Sequence, residues 1–486
     1  MKDVHVVARA APVRYDVAIT GAEVVLPPLG VHRLTVAIAG GRVAALLDPA
    51  LPVEAARIID ARGKVVMPGA IDPHTHFSYE GYRGMPLDAL GAHFESESVS
   101  ALVGGVTTVL ITYRNAAPYH EIFEEMKGAG ERSSRIDFAY SLGITSDAQR
   151  ADIPAYYREY GVSSFKFYMA YRGEDAKATG NAYNTYDDGF LYEAMGAIAG
   201  IPGAMAMVHP ENIDVIARLR RRYEAEGADG LAMWTASRPD FAEAENVRRA
   251  LYLGEQAGCP VYIPHLSCRK GVEAVLEHRA RRTNPVFIET CPQYLTHTKD
   301  SAEGNLAKVN PPLRDPDDQD ALWAGLASGD VDTFGTDHCG VRRETKAGNV
   351  WTAVPGFPGV ATMLPVLLSE GVRRGRLTLL QAAAVVSYNT ARIFNLYPRK
   401  GTLLPGSDAD LAVVDLGLAR KVTPELLKSR SDFSLYEGRE IVGWPVLTMV
   451  RGTVMMADGE IVGAPGHGRY QTRFTGRDAG AGRTSR

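Results

Sequence analysis

Val65-Val-Met-Pro-Gly-Ala-Ile-Asp-Pro-His-Thr-His is where the pattern of this 486-residue chain changes. Upstream lie short β-prone runs broken by turns. Tyr15-Asp-Val-Ala-Ile-Thr-Gly is one, and Leu34-Thr-Val-Ala-Ile-Ala-Gly-Gly-Arg-Val-Ala-Ala-Leu is two more around a turn at Gly40-Gly41. Downstream, from about Lys64 to Arg399, β-prone runs alternate with helical patterns. Val65-Val-Met-Pro, Thr107-Thr-Val-Leu-Ile-Thr, Ser164-Phe-Lys-Phe-Tyr-Met, Ala206-Met-Val-His, Val261-Tyr-Ile-Pro-His, Val286-Phe-Ile-Glu-Thr and Thr333-Phe-Gly-Thr-Asp read as strands. Residues 242–257 and 272–281 read as helices between them. Strands separated by crossover helices line up in parallel. So many units in one stretch predict an α/β fold of the (β/α)8 barrel type. No GxGxxG follows the first strand of this region, which argues against a dinucleotide-binding sheet.

Beyond Arg399 the first pattern resumes, in Asp408-Ala-Asp-Leu-Ala-Val-Val-Asp, Val446-Leu-Thr-Met-Val-Arg-Gly-Thr-Val-Met-Met and Gly459-Glu-Ile-Val. Chain ends commonly lie close together. The two β pieces therefore predict one small β-sandwich, residues 1–66 with 401–470, around a barrel of residues 67–400. Residues 471–486, which end in a Gly, Ala, Arg and Ser mixture, read as a flexible tail. Trp444, Tyr470 and Phe474 are candidates for subunit contacts.

A net charge of -4 gives no pull toward nucleic acid or an anionic membrane. No apolar run reaches the roughly 18 residues that would suggest a span. The four cysteines, Cys259, Cys268, Cys291 and Cys339, follow no CxxC spacing and suit a cytoplasmic protein with free thiols.

In a barrel, chemistry sits at the C-terminal ends of the strands. That rule picks out His74 and His76, Lys166, His209, His265 and Asp337. The period of two puts His74 and His76 on one strand face. Neutral imidazole and carboxylate suit zinc and similar divalent ions. Taken singly, His209 or His265 would more often be a hydrogen-bonded core histidine, Asp337 a helix cap, and Lys166 a side chain reaching out from a strand end. Their joint occurrence on strands of one barrel is what points to a metal centre.

The chain resembles the amidohydrolase superfamily and, within it, the hydantoinase/dihydropyrimidinase group. The residues that carry the resemblance are Gly69-Ala-Ile-Asp-Pro-His-Thr-His, Gly104-Gly-Val-Thr-Thr, Ser164-Phe-Lys-Phe-Tyr-Met-Ala-Tyr and Val208-His-Pro-Glu-Asn. They continue with Thr235-Ala-Ser-Arg-Pro, Pro264-His-Leu-Ser, Glu289-Thr-Cys-Pro-Gln-Tyr-Leu, Gly335-Thr-Asp-His-Cys and Gly443-Trp-Pro-Val, in the family's order and over nearly the whole chain. The resemblance implies two divalent ions, zinc ahead of manganese or cobalt. His74, His76 and Asp337 would hold one, His209 and His265 the other, and Lys166, carboxylated by carbon dioxide, would bridge them. It implies Asp337 as proton carrier and Tyr171 as hydrogen-bond donor to the tetrahedral oxyanion. It also implies a homotetramer acting on a small cyclic amide, of hydantoin or dihydropyrimidine type, to give an N-carbamoyl amino acid.

The substrate pocket departs from the family pattern. Asn310 stands where hydantoinases carry a serine, in Val309-Asn-Pro-Pro-Leu-Arg, and Pro355 falls near a family asparagine. Proline removes an N–H donor. Phe77, Tyr79 and Tyr82, in the loop after His76, are candidates for an aromatic wall around the ring substituent. The alternatives are hydrolysis of an imide, allantoin or dihydroorotate, a deamination, or a non-catalytic relative that has lost its metal. Phe77 and Ser78 where dihydroorotases carry an arginine weaken that reading, and Gln293 where allantoinases carry histidine weakens the other. Every ligand-type residue is retained, which weakens the non-catalytic one.

Overall fold

In the computed structural model, residues 14–81, 84–171 and 187–474 are described. The N-terminal strands are β1 (Tyr15–Thr20), β2 (Glu23–Leu26), β3 (Gly30–Arg33), β4 (Thr35–Ala39), β5 (Arg42–Leu47), β6 (Ala55–Asp60) and β7 (Val65–Pro68). The barrel strands are β8 (Ala70–His76), β9 (Val106–Arg114), β10 (Asp137–Gly143), β11 (Ser164–Tyr168), β12 (Met205–His209), β13 (Val261–Ile263), β14 (Val286–Thr290), β15 (Thr333–Phe334) and β16 (His338–Cys339). The C-terminal strands are β17 (Leu411–Lys421), β18 (Glu440–Val450), β19 (Thr453–Ala457) and β20 (Glu460–Ile461).

Strands β8 to β15 pair in parallel, each with the next. Strand β16 pairs in parallel with β8, so β15 and β16 are two halves of one eighth strand that close the ring. The strands read as near-continuous apolar runs because helices cover them outside and side chains fill them inside; β9, VTTVLITYR, is buried along its whole length. Helix Asp240–Ala257 starts two residues before the expected 242, directly after Pro239, with Asp240 and Glu243 in its first turn, and ends at Gly258 with φ 67°. Helix Arg269–Arg279 likewise starts and stops earlier than expected.

Strand β7 was expected inside the barrel region. It lies instead in a seven-stranded sheet, order β20-β19-β18-β17-β7-β2-β3, beside a four-stranded sheet, order β5-β4-β1-β6. Val66 of β7 pairs with Val24 of β2 and with Val413 of β17, which joins the two chain ends in one sheet. Val17, Ile19, Val36, Val66, Leu411 and Met449 share a core drawn from both ends. The chain crosses from sandwich to barrel at Gly69, where a Cβ would fall 2.2 Å from Thr107 Oγ1. Val65-Val-Met-Pro is β-prone in either setting, so composition alone did not assign it to a sheet.

A buried ion cluster ties β10 to the segment that leads into β17. Asp137, Asp408 and Asp410 bring three carboxylates together, and Lys400 Nζ fills the space between them at 2.7, 3.2 and 2.5 Å. Arg451 donates its backbone N–H to Asp410 and its side chain to Asp137.

One expectation about the C-terminal segment is corrected here. Residues 471–474 are not a free tail: Gln471 N donates to Phe138 O at 2.8 Å, Arg473 N donates to Gly161 O at 2.9 Å, and the buried Arg473 Nη1 reaches Ser164 Oγ at 2.8 Å. Trp444, Tyr470 and Phe474 pack within the chain. Trp444 is buried, Tyr470 meets Phe123 and Tyr140, and Phe474 meets Tyr157. Residues 475–486 lie outside the described residues.

Candidate metal centre and active site

The site forms where β8, β11, β12, β13 and the broken eighth strand meet. His74 and His76 lie two apart on β8 and face inward together. Between β15 and β16 the chain leaves the sheet, and Asp337 takes φ 53°, a left-handed conformation that aspartate tolerates. Asp72 holds this break: its carboxylate accepts from His74 N at 3.2 Å, from Thr336 N at 3.1 Å and from Thr336 Oγ1. Asp337 Oδ1 then lies 2.9 Å from His76 Nε2 and 3.6 Å from His74 Nε2. Lys166 Nζ lies 3.2 Å from His74 Nε2. The His265 ring stands 5.2 Å from that of His74 and 4.5 Å from that of His209. All six ligand-type residues picked from the sequence are thus brought together and buried.

Burial lowers the pKa of all four imidazoles, so each is neutral and carries a lone pair. Burial also lowers the Lys166 amine to about 7. It would raise Asp337, but the neighbouring His74, His76 and Lys166 outweigh it and hold the carboxylate at about 2. These residues fit a metal. The ligand atoms of His74, His76 and Asp337 lie within 4.8 Å of one another, and His265 Nδ1 is buried with no hydrogen-bond partner among the described residues.

A cavity opens onto this cluster. Tyr171 and Asn310 line it; Asn310 Nδ2 donates to the Tyr171 hydroxyl at 3.5 Å. Pro355 and Tyr79 also line it. Phe77 does not. It points behind His76, edge-on to Phe94 at 5.5 Å and to His338 at 5.9 Å, because successive side chains at the end of β8 face opposite ways. Tyr82 lies outside the described residues.

Comparison with known proteins agrees with this geometry. The model of the amidohydrolase family matches residues 294–455. An L-hydantoinase of Paenarthrobacter aurescens is 37% identical over 91% of this chain and 95% of its own length. The chain belongs to the hydantoinase/dihydropyrimidinase family of amidohydrolases. A D-hydantoinase of Geobacillus stearothermophilus is 34% identical over 91% of this chain and 93% of its own. Among solved structures, the L-hydantoinase from Arthrobacter aurescens superposes with a TM-score of 0.84 at 34% identity, covering 94% of this chain and 99% of that one. A dihydropyrimidinase from Brevibacillus agri gives 0.86 at 29% identity, covering 94% and 98%. As a family member this amidohydrolase is a hydrolase of cyclic amide carbon–nitrogen bonds, and the relatives do not favour the imide, allantoin, dihydroorotate or non-catalytic readings. No helix among the described residues is long and apolar enough to cross a membrane.

Several residues of this amidohydrolase's site were not singled out from the sequence. Glu211 accepts from His209 Nε2 at 2.8 Å and from Arg238 Nη1 at 3.1 Å; burial would raise its carboxyl, but Arg238 and His209 hold it at about 2. This is the carboxylate–histidine arrangement that orients metal ligands. Arg314 ties the same layer together through Glu243 at 2.8 Å and Ser267 at 3.0 Å. Glu289, raised by burial to about 7, accepts from His265 N and Tyr262 Oη. His338, read from the sequence as packing next to Asp337 with no chemistry of its own, stands 3.0 Å from Glu97 and accepts from Gly359 N. Glu211, Arg238, Glu289 and Arg314 were present in the quoted motifs, but only packing shows which ligand each supports. Arg114, at the end of β9, lines the cavity and carried no signal at all.

Proposed function

We propose that this enzyme adds water across one carbon–nitrogen bond of a hydantoin or dihydropyrimidine ring, yielding an N-carbamoyl amino acid. The observation that carries the reading is the convergence of His76, His209, His265, Asp337 and Lys166 on one cavity, with His74 against Lys166 and Asp337. His74, His76 and Asp337 would hold one divalent ion and His209 and His265 a second, zinc ahead of manganese or cobalt. Bound there, the ions would polarise the amide carbonyl and lower the pKa of water toward neutrality. Lys166 suits carboxylation, since its buried amine has lost much of its proton affinity: the Nζ–C bond to carbon dioxide forms, one proton leaves, and the anion replaces an expensive buried cation.

The rest of the reaction falls to the chain's own groups. Ionised Asp337 accepts a proton from the attacking water as the C–O bond forms, and returns it to the ring nitrogen as the C–N bond breaks. Burial keeps the Tyr171 phenol above its ordinary pKa and therefore protonated. Because Asn310 Nδ2 donates to its oxygen, the phenolic proton is left to donate to the oxyanion. Asn310 Oδ1, buried and without a partner among the described residues, is placed to accept a ring N–H.

Ring opening of hydantoin and dihydrouracil by the purified enzyme, supplied with zinc or manganese and bicarbonate, tests this. Turnover lost in Lys166→Ala supports it, and no turnover with both ions bound overturns it. By family resemblance we also propose a homotetramer, which sedimentation tests. We propose a cytoplasmic setting as well, supported by four unpaired, buried cysteines and tested by fractionation of the native cells.

A further inference from the structure

We propose that Lys346 is a positioning residue for ring opening, clasping together the two walls that hold the cyclic amide. The inference rests on the ring-opening reading above and names a residue that serves it. One wall of the cavity is Val309 and Asn310, the other Pro355 and Gly356. They join at a single carbonyl: Lys308 O accepts from Gly356 N at 2.9 Å and from Lys346 Nζ at 3.3 Å. A reciprocal bond runs the other way, from Lys308 Nζ to Ala353 O. Lys308 Nζ also lies 4.0 Å from the Trp234 ring centroid, and Trp234 Nε1 donates to Val309 O at 3.0 Å. Lys346 closes a short helical turn, Arg343–Lys346, in which Thr345 O accepts from Val354 N at 2.9 Å.

Lys346 is 3% exposed, and among the described residues its amine meets no carboxylate and one hydrogen-bond acceptor, Lys308 O. Burial lowers its pKa to about 7. A methionine would fill the same space without the cost of burying an amine, so packing alone does not account for a lysine here. What the amine adds is the bond to the carbonyl where the walls meet. That bond matters because the second wall is bare main chain at Gly356. This glycine takes φ 96°, and a Cβ on it would fall 2.8 Å from Cys339 Sγ. Bare backbone is held in place by its hydrogen bonds rather than by side-chain packing. The first wall carries Asn310, whose Oδ1 is placed to accept a ring N–H. A wall that drifts carries this contact away from the ring. Tyr171, which follows β11, and Asp337, between β15 and β16, stand on other segments and stay in place.

The test measures kcat, KM and metal content of the metal-loaded enzyme on hydantoin and dihydrouracil, for wild type, Lys346→Met and Lys346→Gln. Lys346→Met should raise KM about 3- to 10-fold, the range of one net hydrogen bond, with kcat and metal content little changed. Lys346→Gln, which keeps an N–H donor on a shorter chain, should recover part of the loss. An unchanged KM in Lys346→Met would overturn the inference and leave the ring-opening reading standing. So would a loss carried by kcat or by metal content, or a Gln variant no better than the Met one, since Lys346 would then only support the fold. If Lys346→Met does not fold, Lys308→Met decides: it deletes the reciprocal bond to Ala353 O and should raise KM in the same way, and an unchanged KM there would overturn the inference. Wild-type turnover of neither ring would overturn the ring-opening reading, and this inference with it.

Discussion

Lys400→Met is expected to destabilise the protein by about 3–5 kcal/mol, the usual cost of removing one partner from a buried ion pair. Lys400 is 1% exposed and its ammonium contacts three carboxylates, Asp137, Asp408 and Asp410. Burial alone would lower its pKa, but the three acids outweigh this and hold it above the ordinary lysine value. The deleted charge is partly covered. Asp137 keeps Arg451 and accepts from Arg469 N at 2.9 Å, and Asp410 keeps Arg451 N at 2.7 Å. The lower part of the range, about 3 kcal/mol, is therefore expected. The pH dependence has a definite sign. Lys400 has a raised folded pKa, so its stabilisation is complete below its unfolded pKa of about 10.4 and is lost as pH rises through the folded value. In the variant, the stranded acids gain protons more readily than in the unfolded chain. The deficit should therefore shrink as pH falls from about 8 to about 5. Thermal unfolding at fixed scan rate, run at both pH values, reads this as a midpoint several degrees lower at the higher pH. A variant within about 1 kcal/mol of wild type at the higher pH, or a deficit that grows on acidification, would refute the account of this cluster.

Three further outcomes follow from the same geometry. Tyr171→Phe should lose about 100- to 1000-fold in kcat on the best cyclic amide, the usual cost of one oxyanion donor, with KM changing far less; a loss confined to KM would assign Tyr171 to ground-state binding. Dialysis against a chelator should abolish ring opening, and zinc or manganese with bicarbonate should restore it in the wild type but not in Lys166→Ala; metal-free activity would remove the metal from the proposed mechanism. Gly104→Ala should destabilise by about 1–3 kcal/mol, because its Cβ would lie 2.7 Å from Ala361 O on an adjoining segment of backbone, as urea unfolding would show.

Much of the site was readable before any coordinates. The HxH spacing on a strand fixes two imidazoles on one face, and a lysine inside Ser164-Phe-Lys-Phe-Tyr-Met has no cheap structural explanation. The βα alternation likewise announces a parallel barrel, because local periodicity is a property of the chain itself. Strand β10, Asp137–Gly143, escaped this reading because its DFAYSLG sequence has no β-branched residue and no clean alternation. Gln471 to Phe474 read as the start of a free tail, because nothing local shows that Arg473 will be buried against Ser164.

The chain by itself determined which chemistry was available: the ligand types, their order along the strands and the alternation that delivers them to one end of a barrel. Tertiary structure alone decided which residues meet. It broke the eighth strand so that Asp337 turns toward His76, placed Glu211 behind His209, turned Phe77 away from the cavity and brought Arg114 into it. The physical reason is that these outcomes depend on contacts between strands distant in sequence, whose register and closure no local period encodes.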